Sequence, residues 1–396
     1  MNRYIRFFSS VRLLLSLSST ILLLAGGTVN AQCPGVTPVT AGLRLPLGIT
    51  QSNQDNLLVS ETGFGAPGTG RISIVDLGGN RQTLLDGLPS GINDVGDPSG
   101  PAGLFPSGRT LYVAIGVGDV GMEGPMPGTT VPNPSGPSSP LFSSVLAIHF
   151  SAHAEKTTAG FTLTTADEQA LASGQKVTLS NVGGDKITIE LVVNFPNFIS
   201  NPLPFFADNI RLSNPYDLVA VANHLYVTDG GRNLVWQVDV NSGAFSVLAA
   251  FPPLANPLPF GPPFIDAVPT GIAYSDGQLL VTLFRGFPFP PGASEVRAVD
   301  PETGAQAPFI TGLSSAIDVL SFRSKGDTDY LVLQFSTDML AGNPGSLLRF
   351  ETPTSTPTVV ADCLITPTSM TLDEKTDTLY ITELGTGRVV SVPILP

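Results

Sequence analysis

The hydrophobic pattern of this chain is a repeat. Short continuous apolar runs, bounded by Gly, Asn and Asp, recur as Leu57-Leu58-Val59, Leu111-Tyr112-Val113, Leu225-Tyr226-Val227, Leu279-Leu280-Val281, Tyr330-Leu331-Val332 and Leu379-Tyr380-Ile381. Runs of this kind, rich in β-branched and aromatic residues, predict buried strands. Upstream of each lies a Pro-x-Gly-apolar signature: Pro46-Leu47-Gly48-Ile49, Pro101-Ala102-Gly103-Leu104, Pro215-Tyr216-Asp217-Leu218 and Pro269-Thr270-Gly271-Ile272, with degenerate copies at Ala316-Ile317-Asp318-Val319 and Pro367-Thr368-Ser369-Met370. Downstream, segments such as Arg71-Ile72-Ser73-Ile74-Val75-Asp76 and Val235-Trp236-Gln237-Val238-Asp239 alternate apolar with polar positions. That period suits a strand nearer the outside of a sheet. A fourth segment closes the unit, as in Leu84-Leu85-Asp86-Gly87-Leu88 and Phe309-Ile310-Thr311-Gly312-Leu313. Four-stranded antiparallel units repeated around an axis make a β-propeller, so the chain is expected to be all-β with six blades.

The sixth unit shows how the ring should close. Its third strand, 388–392, runs almost to the last residue, leaving no fourth strand. The segment Val36-Thr37-Pro38-Val39-Thr40-Ala41-Gly42-Leu43 ends like a fourth strand and directly precedes a first strand. The N-terminal strand is therefore expected to complete the last blade, making residues 32–396 a single propeller. One segment departs from the repeat, an insertion in the second blade over 151–186. There Thr165-Ala166-Asp167-Glu168 reads as a capping box opening a short helix that ends at Gly174. Lys176–Ser180 and Lys186–Leu191 around Gly183-Gly184 read as a hairpin. The insertion is expected to decorate the edge of one blade.

In such blades consecutive turns alternate between the two faces of the disk. One face receives minimal turns such as Ser275-Asp276-Gly277, Asn241-Ser242-Gly243 and Gly78-Gly79-Asn80. The other receives long loops over 62–70, 89–100, 116–141, 196–213, 252–267, 285–293 and 336–344. Long loops on a rigid frame are where binding residues concentrate. Here they carry Asn201-Pro202-Leu203-Pro204-Phe205, its duplicate Asn256-Pro257-Leu258-Pro259-Phe260, and Gly286-Phe287-Pro288-Phe289-Pro290-Pro291-Gly292. Leaving a Phe in water forgoes roughly 1.5–3 kcal/mol, so these rings should cover one another or line a site. Phe260, Phe287 and Phe289 are the candidate apolar wall. Among acids, Asp217 and Asp318 replace the Gly of the first-strand signature and should face the axial channel, while Asp94, Asp97, Asp208 and Asp266 sit in the long loops. Glu61, Asp229, Gln334 and Glu383 occupy one equivalent column after the second strands. Converging carboxylates suit a cation or acid–base chemistry; capping loop amides is the structural alternative. No cofactor is called for otherwise, and a divalent cation on the axis stays open. The expected partner is a small molecule or protein segment on the long-loop face of a monomer.

The N-terminus changes the setting. Arg3, Arg6 and Arg12, the apolar run from Leu13 to Leu24 and Val29-Asn30-Ala31 have the layout of a secretory signal peptide over 1–31, which predicts a secreted or periplasmic protein. Cleavage removes three arginines and no acid, so a chain already at −13 becomes more acidic still. That charge argues against nucleic acid and anionic membrane as partners. Two cysteines, Cys33 and Cys363, survive cleavage, and an oxidising compartment favours their pairing. Simple strand pairing sets them at opposite faces, unless a turn at Pro34-Gly35 folds Cys33 back.

Catalytic motifs are sparse. There is no Gly-x-Ser-x-Gly elbow, and His149, His153 and His224 lack metal-ligand spacing. The segments Asn214-Pro215-Tyr216-Asp217, 266–271 and above all 286–292 resemble the ScyD/ScyE family of exported bacterial proteins. That resemblance implies a six-bladed, NHL-like propeller without implying a reaction. A more distant similarity, to six-bladed lactonases and gluconolactonases, would make Asn214 a metal ligand. It would also place that family's metal-binding Asp at Thr270 and its early Glu near Arg44-Leu45, which cannot serve. A binding or scaffolding propeller for an apolar, aromatic small molecule or partner is therefore the favoured reading, with a metal-assisted hydrolase as the alternative.

Overall fold

In a computed structural model of the chain, residues 33–156, 159–324 and 326–394 are described; the segment 1–31, expected to be a signal peptide, lies outside them. Six four-stranded antiparallel units follow one another: strands 46–51, 57–61, 70–75 and 81–88 in the first blade; 101–107, 110–115, 144–150 and 186–194 in the second; 215–221, 224–229, 234–239 and 245–250 in the third; 269–275, 278–283, 294–299 and 306–313 in the fourth; and 316–324, 327–334, 345–350 and 358–364 in the fifth. The sixth consists of 367–373, 378–383 and 388–393, and its outer strand is Thr37–Ala41, paired antiparallel with Arg388–Pro393. First strands of successive blades touch around the whole ring, the sixth against the first, so they form the axial wall. The second strands are the buried centre of each blade, with Leu57, Val59, Leu111, Val113, Leu225, Val227, Leu279, Val281, Leu331, Val332, Leu379 and Ile381 all excluded from water. This is the six-bladed propeller that the repeat predicts.

Every blade carries an irregularity in the same place. Pairing between first and second strands slips at 46/49, 101/104, 215/218, 269/272, 316/318 and 367/369, inside the Pro-x-Gly signature. The bulge brings neighbouring first strands so close that a Cβ on Gly103 would strike Asp217, and one on Gly271 would strike Asp318. Glycine precedes each axial acid around the ring because no side chain fits there.

The insertion differs from its expectation in two respects. The helix cap is Thr164 with Asp167 as its reciprocal partner, one residue ahead of the predicted box, over a helix Thr165–Ala172. Asp167 suffices in place of Glu because its shorter carboxylate still accepts from the Thr164 N–H and hydroxyl. More consequentially, the insertion serves two blades. Val177–Ser180 adds a strand to the second blade, while Phe161–Thr162 pairs in parallel with Leu85-Asp86 on the outer edge of the first. Phe161, Leu163 and Leu171 join the core shared by both blades.

Cys33 and Cys363 are bonded, with Cα atoms 5.7 Å apart. The expected separation across the disk does not arise, because the closing strand begins at Thr37, opposite Ser391 and short of the strand end at Pro393. The Pro34-Gly35 turn, closed by Val36 N–H donating to the Cys33 carbonyl at 3.0 Å, folds Cys33 back towards the fifth blade.

Candidate functional site

Two groups of the predicted site residues are brought together, one on the axis and one on the long-loop face. On the axis the third position of the first-strand signature reads Gly48, Gly103, Asp217, Gly271, Asp318 and Ser369 around the ring. Asp217 accepts the N–H of Ile272 in the next blade at 3.1 Å, and Asp318 accepts that of Met370 in the next blade at 2.8 Å. Each acid thus fastens its blade to the following one. The two carboxyls also feel each other. Burial pushes Asp217 up to about 7. Burial and then the charge of Asp217 push Asp318 well above the carboxylate range. Beside them Tyr216 reaches from the third blade to the core of the fifth and sixth. Its hydroxyl is buried without a hydrogen-bond partner, and burial, Asp318 and Asp217 raise its pKa, in that order. Sequence reading passed over Tyr216, because the second signature position is otherwise apolar or Thr.

A second set of residues went unnoticed for the opposite reason: their pattern is too ordinary. Ser60, Thr228, Thr282 and Thr382 each sit one residue before the end of a second strand. Ser60 and Thr228 accept the N–H of Gly48 and Asp217 in their own blades at 2.8 and 3.0 Å. They donate to the carbonyls of Ala102 and Thr270 in the next blades. Thr382 does the same between Ser369 and Leu47, across the closure from the sixth blade to the first. These hydroxyls fill the bulge and join neighbouring blades.

The column Glu61, Asp229, Gln334 and Glu383 does structural work. Its members accept the backbone N–H of Arg44, Asn214, Ser314 and Ile365, the residues leading into their own blades. Glu61 further holds Arg71 at 2.7 Å and the Ser73 hydroxyl. Asp229 accepts from the Ser213 hydroxyl, the Arg232 backbone N–H and the Trp236 indole N–H. Among the described residues no three His, Cys, Asp or Glu side chains converge as metal ligands.

On the long-loop face, Phe287 and Phe289 meet edge to face at 6.0 Å, and Phe289 continues onto Phe284, which meets Phe335. These rings cover one another, half-buried. Phe260 lies apart, more exposed, on a loop whose Gly261 abuts Pro288. The duplicated Asn-Pro-Leu-Pro-Phe motifs cap two small β-arms, 198–200 with 210–212 and 254–255 with 264–265. Asp266 stands between the arms, bound at 2.7 Å by Arg211 from one side and by Asn233. Asn214 lies deeper, its Oδ1 accepting Val117 N–H at 3.0 Å. Asp94 accepts from Thr130, and Asp97 is raised by burial and by Asp94. The geometry therefore separates Asp217 and Asp318, on the axis, from the Phe cluster and Asp266 outside it.

The distribution of exposed apolar side chains distinguishes the two faces. Among the described residues, eleven of the eighteen large ones in solvent belong to long-loop segments, including Phe64 at 63 %, Phe205 at 62 % and Phe264 at 60 % exposure.

No family model matches the chain, and no curated protein does. Among solved structures, a gluconolactonase of Xanthomonas campestris is 12% identical at a TM-score of 0.48, covering 93% of each chain. The PQQ-bound aldose sugar dehydrogenase of Streptomyces coelicolor is 14% identical at 0.48, covering 91% of this chain and 99% of that one. Identities this low leave activity open.

Proposed function

We propose that this protein is an exported binding propeller whose long-loop face takes an apolar, aromatic-rich partner. The observation that carries this reading is the concentration of solvent-exposed Phe and aliphatic side chains on that face, on two proline-stiffened arms built to one pattern. Exposed apolar groups clustered on one side of a soluble fold mark an interaction surface, and proline in the arms lowers the entropy lost on binding. A metal-assisted hydrolase has less in its favour. The axial carboxylates are engaged by backbone N–H groups of neighbouring blades, and the Asn214 oxygen by that of Val117.

Fluorescence titration with aromatic ligands and Phe-rich peptides tests this. Phe205→Ser with Phe264→Ser, both exposed, should weaken binding by about tenfold or more without moving the melting temperature. Binding that is indifferent to both changes, yet lost on altering Asn241 or Asp276 in the short turns, would show the wrong face was chosen.

A further inference from the structure

A cleft of about 400 Å³ opens at the rim between the first blade and the insertion, sharing no lining residue with the axial acids or the two arms. Its size lies within the range of small-molecule sites, but its walls are polar. Asp86 comes from the first blade's outer strand, Ser138 and Ser139 from the second blade's long loop, and Thr164, Thr165 and Glu168 from the start of the inserted helix. Glu168 is only 5 % exposed and bonded to Ser139, and burial pushes its carboxyl up. Asp86 is its complement: its Oδ1 is buried without a hydrogen-bond partner, while Arg44, 3.8 Å away, balances its charge.

We propose that this cleft binds a neutral, polyhydroxylated small molecule of monosaccharide to disaccharide size. A hydroxyl group can donate to Asp86 and can meet the Glu168 carboxyl as donor or acceptor, so it suits both walls of the cleft. The Ser and Thr hydroxyls have the same dual capacity. Charged ligands fit less well. A carboxylate meets Asp86, and an ammonium group finds the Asp86 charge already balanced by Arg44 and faces the positive end of the inserted helix. The insertion thus builds a compartment that the six-fold repeat alone does not contain. The inference does not rest on the partner-binding reading, although Pro67, Gly68, Ser138 and Ser139 come from loops of that face.

Saturation-transfer NMR and calorimetry on the full mature chain test it, with glucose, maltose and sorbitol as probes and spermidine and citrate as charged controls. At least one polyol should bind. Ser138→Trp, which fills the cleft from an exposed position, and Asp86→Asn, which keeps the shape, should each weaken that binding by about tenfold or more. Phe205→Ser should leave it unchanged. The proposal is overturned if none of the three polyols binds, if binding survives both cleft variants, or if the charged controls bind in their place.

Discussion

Asp229 accepts from four groups, and Glu61 holds a buried arginine, a serine and a backbone N–H. Removing such an acceptor strands donors that water cannot reach. Glu61→Ala, which leaves Arg71 buried and unmatched, should cost about 3–5 kcal/mol, seen as a lowered denaturation midpoint. Asp76→Ala, which loses only bonds to Asn80 within its own partly exposed turn, should cost less. The axial acids make a different prediction. The folded pKa of Asp217 is raised from 3.8 to about 7, so the fold holds a proton that the unfolded chain gives up. That contribution to stability is full below about pH 4 and is lost as pH rises through about 7. Melting curves across this window should show the decline, and Asp217→Asn should lessen it, with the share of Asp318 remaining. The acid column and the axial Asp pair were legible because each departs from, or adds to, a repeated signature. Tyr216 and the hydroxyls of Ser60, Thr228, Thr282 and Thr382 were not, since their work lies between blades, and a Thr in a strand signals nothing about the neighbouring carbonyl it faces.

Strand order within each blade follows from local pattern, and so does closure, because a spare strand at one end of the chain matches a gap at the other. Deleting 32–43 strips the sixth blade of its outer strand and exposes a long edge. The truncated protein should melt at lower temperature and associate, as size-exclusion chromatography would show. The insertion was legible in its helix and hairpin but not in its docking. The two residues Phe161-Thr162 pair with a strand far away in sequence, and nothing local distinguishes them from loop. The cleft at the rim was hidden for that reason.

At the scale of the whole molecule, the Cys33–Cys363 bond spans 330 residues and ties the closing strand to the fifth blade. Loops of such length are where a crosslink restricts the unfolded chain most, by up to about 5 kcal/mol in the chain-entropy picture. Unfolded, unreduced protein should show no free thiol, and Cys363→Ser should lower stability without abolishing the ring. The sorting of loops onto two faces was also legible, since turn length is written in the sequence. Which rings stay exposed was not, because Phe287 and Phe289 turn towards Phe284 while Phe205 and Phe264 face solvent. Photo-crosslinking with a benzophenone-bearing aromatic peptide, mapped by mass spectrometry, tests the binding face most directly. Crosslinks should fall on the arms over 198–212 and 254–265 and on neighbouring long loops; crosslinks concentrated in the short turns near 76–80, 240–244 and 276–277, or spread evenly over both faces, would contradict it.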